Sequence, residues 1–399
     1  MSTSSGSDRR FFIVAGEVSG DQHGAALISA MEKLDPSSRF SGIGGTRMEA
    51  LGMKCLYKAE DMALVGYWEV LRHLPFLLRV MRRTEEFIRD WQPERVILID
   101  YPGFNLRLAR RLFRMGIPVT YFISPQLWAW REGRIATIRD CVDQLLVIFP
   151  FEVDWYLQRG VEAQFVGHPI LEESQPDISR ADFLRDLGMD SSQPVLTLFP
   201  GSRQQELDRH LQLLYTAAQL VKQQMPDTQL LLGLANGLSL DMIPADIQRE
   251  VVIAVSQPRL ALRYADAAIV ASGTATLEGA VWGIPMVVVY RVAPLSWWLG
   301  RRLVKLPYAG MVNILSGKEV VPEFLQDRAE PGPIARAILR YFQDEAHRQT
   351  VLQKLKRVRQ SLMAPVSRAS TDDTLGENGD VAGEPGASNL AAKAILFSR

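Results

Sequence analysis

One segment in the second half of the chain combines residue types suited to binding a nucleotide. Ser272, Gly273 and Thr274 follow the apolar run 267–270 at the start of a predicted helix, and Glu278 lies one turn further along. The unpaired amides and the dipole of a helix N-terminus favour an anion such as a diphosphate. A carboxylate one turn on can accept hydrogen bonds from a ribose diol. The pattern predicts a nucleotide site, or else an ordinary β–α unit with a capped helix.

A second anion-suited turn closes the apolar run 195–199. Gly201 permits close approach of the backbone to a ligand, Ser202 can cap the next helix, and Arg203 can neutralise charge on a departing diphosphate. The alternative for Arg203 is a local ion pair with Glu206. Two such turns on one sheet indicate a nucleotide more specifically than either turn alone.

Asn313 is a polar residue inside an otherwise apolar segment. Its amide either binds a phosphate or base edge of the ligand, or satisfies a buried turn.

The first half of the chain carries acids at the corresponding places. Glu17 and Ser19 follow the run 11–15, where a carboxylate would repel a pyrophosphate, so we expect this loop to contact a hydroxyl-bearing acceptor or to cap a helix. Asp100 ends the run 95–99 before a Pro-Gly turn. There it can act as a general base on a sugar hydroxyl, the alternative being that it only accepts backbone amides in the turn.

The loop after the run 119–123 contains two tryptophans and two arginines. Trp128 and Trp130 can offer apolar faces to a sugar or an acyl chain, although domain packing is an alternative role. Arg131 and Arg134 can offset a phosphate on the acceptor, or are simply solvated. The five histidines show no metal-ligand spacing, and we predict no metal.

Residues 62–83 are more apolar than one buried helix face requires, and arginines flank them. This mixture is typical of docking on an anionic bilayer, with Val65, Trp68, Leu71 and Phe76 dipping into the surface. The alternative is a helix pair packed on the sheet or on a partner subunit.

These residues must be positioned by an α/β architecture. Apolar runs alternate with helical patterns, which predicts two doubly wound parallel sheets covered by helices. The predicted strands are 11–15, 40–43, 95–99, 119–123, 145–148, 164–166, 195–199, 229–234, 251–255, 267–270 and 286–290. The predicted organisation is a disordered N-terminus (1–10), a first domain (11–171), a linker (172–180), a second domain (181–332), C-terminal helices (333–363), a flexible insert (364–388) and a terminal helix (389–399).

Bulk composition agrees with two ordinary domains. The chain has 399 residues, 47% of them hydrophobic, and its 45 basic and 45 acidic residues cancel. Zero net charge gives no indication of a nucleic-acid partner. We expect no signal peptide, no transmembrane helix and, with two cysteines, no disulfide framework.

Four motifs together resemble the lipid-A-disaccharide synthase family: AGEVSGD at 15–21, SPQLWAWR at 124–131, PGSR at 200–203 and SGTATLE at 272–278. The resemblance spans about 11–362 and the last helix. It implies the GT-B fold, in which two Rossmann-like domains face each other across a cleft and C-terminal helices cross back to the first. It further implies inverting transfer of a diacylglucosamine from UDP to diacylglucosamine 1-phosphate, with no metal or other cofactor.

The resemblance also implies roles for individual residues. Asp100 would deprotonate the 6-hydroxyl of the acceptor, and Glu17 and Ser19 would shape the acceptor side. Arg203, Glu278 and Asn313 would bind UDP, although Val312 stands where the family usually has proline.

A cytoplasmic enzyme on the inner face of the inner membrane, and a homodimer, are implied as well. The alternatives are another GT-B enzyme such as a UDP-N-acetylglucosamine 2-epimerase, and a non-catalytic UDP-sugar or lipid sensor.

Overall fold

The computed structural model describes residues 8–62, 67–172, 178–255, 257–293, 297, 306–364 and 386–397, with side-chain surroundings left aside for 67–74. The chain divides into two compact units. The first comprises Met1–Glu173 with Leu362–Arg399, and the second comprises Ser174–Ser361. Each unit contains one parallel sheet with interleaved helices, which confirms the predicted α/β class.

Seven parallel strands form the sheet of the first unit, in the order β3-β2-β1-β4-β5-β6-β7. They are β1 (Arg9–Ala15), β2 (Ser38–Gly44), β3 (Lys54–Lys58), β4 (Arg95–Ile99), β5 (Val119–Phe122), β6 (Gln144–Val147) and β7 (Gln164–Phe165). All six predicted strands are present. Strand β3 was not predicted, because this edge strand is only half-buried and its sequence, KCLYK, has no apolar run.

The helices of the first unit connect these strands and cover the sheet. They are α1 (Val18–Leu34), α2 (Thr46–Ala50), α3 (Ala59–Met62), α4 (Tyr67–Trp91), α5 (Pro102–Met115), α6 (Ile135–Cys141) and α7 (Pro150–Leu157). Strand order reverses between β1 and β4, where Ala15 pairs with Ile99. Ligands of doubly wound sheets bind outside the carboxyl ends of strands at such a reversal. The loops after β1 and β4 therefore occupy the expected ligand-binding edge.

Six parallel strands form the sheet of the second unit, in the order β10-β9-β8-β11-β12-β13. They are β8 (Val195–Phe199), β9 (Gln229–Gly233), β10 (Val252–Ala254), β11 (Ala267–Ala271), β12 (Met286–Tyr290) and β13 (Glu323–Leu325). The five predicted strands are present, and only the three-residue edge strand β13 was missed. Order reverses between β8 and β11, where Phe199 pairs with Val270, so both anion-suited turns follow strands at this reversal.

The second unit includes most of the C-terminal helical region. Its helices are α8 (Arg180–Asp186), α9 (Gln204–Gln224), α10 (Ala245–Glu250), α11 (Pro258–Arg263), α12 (Thr274–Trp282), α13 (Met311–Ser316), α14 (Pro331–Gln343) and α15 (Glu345–Ser361). Helix α14 packs on α9 and β11, and α15 packs on α12.

Only the final helix, α16 (Ala387–Phe397), belongs to the first unit, where it contacts α1. A hydrogen bond also attaches this helix to the sheet: Nε2 of Gln144 on β6 donates to the carbonyl of Ala394 (2.9 Å). Of the C-terminal helices expected to cross back, α14 and α15 stay on the second sheet. Most of the predicted insert lies outside the described residues. None of the helices in the described ranges is long and apolar enough to cross a membrane.

Candidate functional site

Asp100 is held in a strained backbone conformation directly after β4. Its φ is 43° and that of Tyr101 is 46°, in the left-handed region that costs a residue other than glycine about 1–3 kcal/mol. The carbonyl of Asp100 accepts hydrogen bonds from the Tyr121 hydroxyl (2.6 Å) and from Nδ2 of Asn105 (2.7 Å). These buried donors fix the strained turn and, with it, the base of the carboxylate side chain.

The environment of Asp100 makes its carboxylate a stronger base than usual. Its pKa is raised from 3.8 to about 6, mainly by burial and further by the negative charge of Glu17, while a hydrogen bond from the Tyr101 backbone acts in the opposite direction. Burial disfavours the charged form, and a like charge nearby does the same. A carboxylate with a pKa near 6 is mostly ionised at neutral pH and still accepts a proton readily, as a general base requires.

Close packing brings the loops after β1 and β4 together. A Cβ at Gly16 would lie 2.4 Å from Cδ1 of Tyr101, so only glycine leaves room for that ring. The Tyr101 hydroxyl donates to the carbonyl of Met62 (3.0 Å), which anchors the ring. The tight contact places the exposed residue Glu17 in the electrostatic range of Asp100.

The side chains that follow β1 do not cap helix α1. Glu17 is the N-cap of α1, and neither it nor the exposed Ser19 provides a side-chain cap there. Asp21 instead accepts the amides of Gly45 (2.7 Å) and Met48 (3.1 Å), at the beginning of α2. Asp21 is therefore structural, and Ser19 stays available to a ligand.

A buried carboxylate that sequence reasoning missed organises the loop after β5. Oε1 of Glu152 accepts hydrogen bonds from Ser124 Oγ (2.9 Å) and Trp128 Nε1 (3.0 Å), and Oε2 accepts the amide of Phe149 (3.1 Å). Glu152 is only 1% exposed, and burial raises its pKa to about 7. The signal in the sequence was a proline at N1 followed by glutamate at N3 of α7, a helix-start pattern.

The two tryptophans of this loop have different surroundings. Trp128 is half-buried and packs edge-on against Phe149 and Phe151. Trp130 is 47% exposed, and the guanidinium of Arg131 lies 4.3 Å from its ring centroid. Trp128 thus takes part in packing, and Trp130 is the more exposed ring, with the Arg131 guanidinium stacked on it.

The turn after β8 is organised by Glu206. Its Oε2 accepts the amides of Ser202 (2.8 Å) and Arg203 (3.3 Å). Gly201 has φ 124°, and a Cβ there would lie 2.5 Å from the same oxygen, so glycine is required on both counts. Glu206 therefore binds backbone amides, and the exposed guanidinium of Arg203 forms no ion pair with any residue that the structure describes.

His210 ties the same turn to the end of β12. This fully buried ring lies 2.9 Å from the carbonyl of Pro200 through Nδ1, and Nε2 accepts the amide of Arg291 (2.9 Å). Because Nε2 accepts, the proton lies on Nδ1 and the ring is neutral. Burial also lowers its pKa. His210 thus positions the turn and is not a candidate acid or base.

The turn after β11 leaves backbone amides open at the beginning of α12. Ser272 is engaged, because its hydroxyl donates to the carbonyl of Ala309 (2.8 Å) and its amide to Val289 (3.0 Å). Gly273 is the N-cap and provides no side-chain cap, and Thr274 is exposed. The amides of the first turn, rather than the Ser272 hydroxyl, are thus the groups suited to a phosphate.

Glu278 has a charged partner that the sequence did not indicate. Its Oε1 lies 2.7 Å from a guanidinium nitrogen of Arg259 on α11, and its side chain is 12% exposed. A ribose diol at this position would meet a carboxylate already oriented by an arginine.

Asn313 satisfies a buried turn, the second of its two predicted roles. Its Oδ1 accepts the amides of Val320 (2.7 Å) and Val321 (3.1 Å), and its Nδ2 donates to the carbonyl of Val321 (2.8 Å) and to Glu323 (2.8 Å). All four hydrogen-bonding positions of the amide are used, and the side chain is fully buried. Asn313 thereby bonds Glu323, which in turn accepts the amides of Ala309 and Gly310, and UDP binding by Asn313 stays a prediction.

Only part of the predicted membrane surface can be located. Val65 lies outside the described residues, as do the side chains of Trp68 and Leu71. Phe76 is half-buried, and its ring lies edge-on to that of Tyr57 with 6.1 Å between the ring centroids. Leu78, in contrast, is 52% exposed. No group of three or more His, Cys, Asp or Glu side chains with metal-binding geometry occurs among the described residues.

Comparisons with known proteins agree with this arrangement. The family profile described as lipid-A-disaccharide synthetase matches residues 11–372. The lipid-A-disaccharide synthase of Geobacter sulfurreducens is 42% identical over 356 residues, which cover 88% of this chain and 93% of that protein.

Solved structures show the same fold at much lower identity. A glycosyltransferase of kitacinnamycin superposes with a TM-score of 0.61 at 14% identity, covering 98% of both chains. The UDP-GlcNAc 2-epimerase from Neisseria meningitidis bound to UDP-GlcNAc superposes with a TM-score of 0.56 at 10% identity, covering 88% of this chain and 96% of that one. The fold is therefore common to glycosyltransferases and epimerases, and it is the sequence match along nearly the whole chain that separates the two: this chain belongs to the lipid-A-disaccharide synthetase family.

Proposed function

We propose that this chain transfers 2,3-diacylglucosamine from UDP to the 6-hydroxyl of 2,3-diacylglucosamine 1-phosphate, with inversion. The family assignment makes the chain a hexosyltransferase that forms the lipid A disaccharide. The observation that carries the residue roles is Asp100, an acid in a fixed strained turn whose pKa is raised to about 6.

The chemical step is a single displacement. Asp100 accepts the proton of the acceptor's 6-hydroxyl group. At the same time the oxygen of that hydroxyl attacks the anomeric carbon of the donor. The bond from that carbon to the β-phosphate breaks, and UDP departs with the electron pair. Attack from the face opposite the leaving group inverts the anomeric centre, and Asp100 ends protonated.

The second unit is suited to the donor. The amides at the beginning of α12 and the exposed guanidinium of Arg203 favour the diphosphate, and they stabilise charge that grows as UDP leaves. Glu278, oriented by Arg259, is proposed to accept the ribose hydroxyls. Ser202 is exposed and can contact the diphosphate, whereas Gly201 and Asn313 support the surrounding loops.

The first unit is suited to the acceptor. Glu17 and Ser19 are exposed in the segment after β1 and can form hydrogen bonds with sugar hydroxyls, and the charge of Glu17 acts on Asp100. Trp130 is exposed and can contact the sugar or an acyl chain.

We also propose that the protein docks peripherally on the cytoplasmic face of the inner membrane and forms a homodimer. Acylated substrates reside in a bilayer, and the segment 62–83 mixes apolar side chains with arginines. The double variant Trp68→Ser/Leu71→Ser should shift protein from vesicles to the supernatant. Leu157→Ser, at a 60% exposed leucine of α7, is the matched control. Equal partitioning of both variants would reject the docking segment, and a monomer mass by light scattering would reject the dimer.

The decisive assay measures UDP release from the diacylated donor with and without acceptor. We expect disaccharide and UDP in equal amounts, and little UDP without acceptor. Release that ignores the acceptor would reject the transferase, and conversion of UDP-N-acetylglucosamine to its 2-epimer would replace it by the epimerase alternative.

A further inference from the structure

Four arginines of the first unit form an arginine cluster: Arg107, Arg110, Arg131 and Arg134. Arg107 and Arg110 lie three residues apart on α5 and share a face of that helix. Arg131 precedes the 3₁₀ turn Glu132–Arg134, and Arg134 is its last residue. Side chains three residues apart in a 3₁₀ turn lie directly above one another, so these two arginines share one side of the turn. The Arg110 guanidinium donates to Thr137 Oγ1 on α6 (2.6 Å), which joins the two elements.

The arginine cluster lacks a counter-ion among the described residues. Glu132 lies within the cluster's own turn, yet it pairs with Arg159 at 2.7 Å instead. Burial lowers the pKa of Arg134 most, and the positive charges of the other three members lower it further. Three members are exposed and Arg134 is half-buried. Assembled like charges repel each other, so a bound anion would relieve the repulsion.

The arginine cluster extends to the neighbourhood of Asp100. The buried Tyr121 hydroxyl donates to the Asp100 carbonyl (2.6 Å). Its pKa is raised mainly by burial, is raised further by the charge of Asp100, and is lowered by that of Arg134. The Tyr121 hydroxyl therefore bonds the backbone of Asp100 and also lies within the electrostatic range of Arg134, in the same unit.

Arg131 is also held in a defined orientation. Its φ is 56°, in the left-handed region, and its guanidinium stacks over the ring of Trp130 at 4.3 Å. A stacked, planar guanidinium is well suited to two parallel hydrogen bonds with a phosphate. An apolar chain on the same ligand would meet the exposed Trp130 alongside.

From this arrangement we infer that the arginine cluster binds the phosphate monoester of the acceptor lipid while Asp100 acts on the acceptor's hydroxyl. The inference rests on the proposed function for the identity of the acceptor. The cluster then determines specificity: it distinguishes the phosphorylated acceptor from the same sugar without phosphate.

The test compares the binding of diacylglucosamine 1-phosphate with that of diacylglucosamine, both in neutral detergent micelles. Two double variants remove the cluster in halves: Arg131→Gln/Arg134→Gln and Arg107→Gln/Arg110→Gln. Each should lower the affinity for the phosphorylated lipid roughly 10- to 100-fold, the usual effect of losing charge-assisted hydrogen bonds. Binding of the lipid without phosphate should change by less than about 2-fold, because it makes none of these bonds. Arg139→Gln, at an arginine of α6 paired with Asp140, is the control and should behave as wild type.

Several outcomes would overturn the inference. If the variants lost affinity for both lipids equally, or for neither, the cluster would not recognise the phosphate. Weaker binding of the variants to phosphatidylglycerol vesicles, with unchanged discrimination in micelles, would assign the arginines to bilayer head groups instead. Because binding is read without turnover, discrimination in a protein that makes no disaccharide would support the phosphate site and reject the proposed function.

Discussion

At the point where strand order reverses, the first unit presents carboxylates and the second presents amides and a guanidinium. Glu17 and Asp100 follow β1 and β4, whereas Arg203 and the open N-terminus of α12 follow β8 and β11. The same parallel topology thus supports opposite electrostatics. The sheet topology therefore determines where a ligand binds, and the few residues that follow each strand determine which ligand binds there.

The carboxylates serve two different purposes, and amide-bound ones occur in both units, since Asp21 and Glu152 of the first unit also accept backbone amides. In the second unit, Glu206 and Glu323 accept backbone amides and so hold loops in place. In the first unit, Asp100 keeps a raised pKa while its own backbone is held by Tyr121 and Asn105. An acid bonded to amides is a support, and an acid with a supported backbone and a raised pKa is suited to proton transfer.

The strongest way to break this comparison is Asp100→Asn. The amide keeps the shape of the side chain but cannot accept the proton, so kcat should fall roughly 10²- to 10⁴-fold. Binding of UDP to the second unit should stay the same, as measured by calorimetry. Turnover near that of wild type would assign the base to another residue.

Asn313→Ala tests whether the second unit's loop depends on a scaffold. The change leaves the amides of Val320 and Val321 buried without their acceptor, and each such loss costs about 1–3 kcal/mol. We expect a lower urea midpoint together with weaker UDP binding. Weaker binding at unchanged stability would instead indicate that Asn313 contacts the nucleotide directly.

Arg203→Gln tests the positive side of the comparison. Loss of a charge-assisted contact with the diphosphate should weaken UDP binding roughly 10- to 100-fold and leave acceptor binding unchanged. Arg249→Gln, at another exposed arginine of the second unit, is the control. If the two variants bound UDP equally well, the anion site would be formed by backbone amides alone.

Glu17→Gln should have the smallest effect, and it sharpens the electrostatic side of the comparison. In the wild type, kcat/KM should fall as the pH drops below about 6, because the base becomes protonated. The charge of Glu17 raises the pKa of Asp100, so removing that charge lowers it and moves the acid limb to lower pH. A pH profile of kcat/KM measures the shift, and an unmoved limb would mean that another group sets it.

Much of this protein could be predicted from local patterns. All eleven predicted strands are present, because buried parallel strands appear in sequence as continuous apolar runs. The edge strands β3 and β13 were missed, since each contains at most three apolar residues next to a charged one. The sequence singles out Asp100, Glu17 and the two anion-suited turns because they follow strands, where ligands of such sheets bind, and their roles stay predictions.

Distant contacts could not be predicted in the same way. The partners of Glu152, of Asn313 and of Glu278 come from different elements, and no spacing rule relates Trp128 to Glu152 or Arg259 to Glu278. Such partners decided that Trp128 packs against other aromatic rings and that the Asn313 amide is fully hydrogen-bonded.

By itself, the sequence determined the α/β class, the family and the residues at the strand ends, because periodicity and short motifs are local properties of the chain. Tertiary structure alone decided the pKa of Asp100, the strained turn that holds it and the assembly of four arginines nearby. Burial and the distance between charges depend on residues far apart in sequence, and both arise only when the sheet brings those residues together.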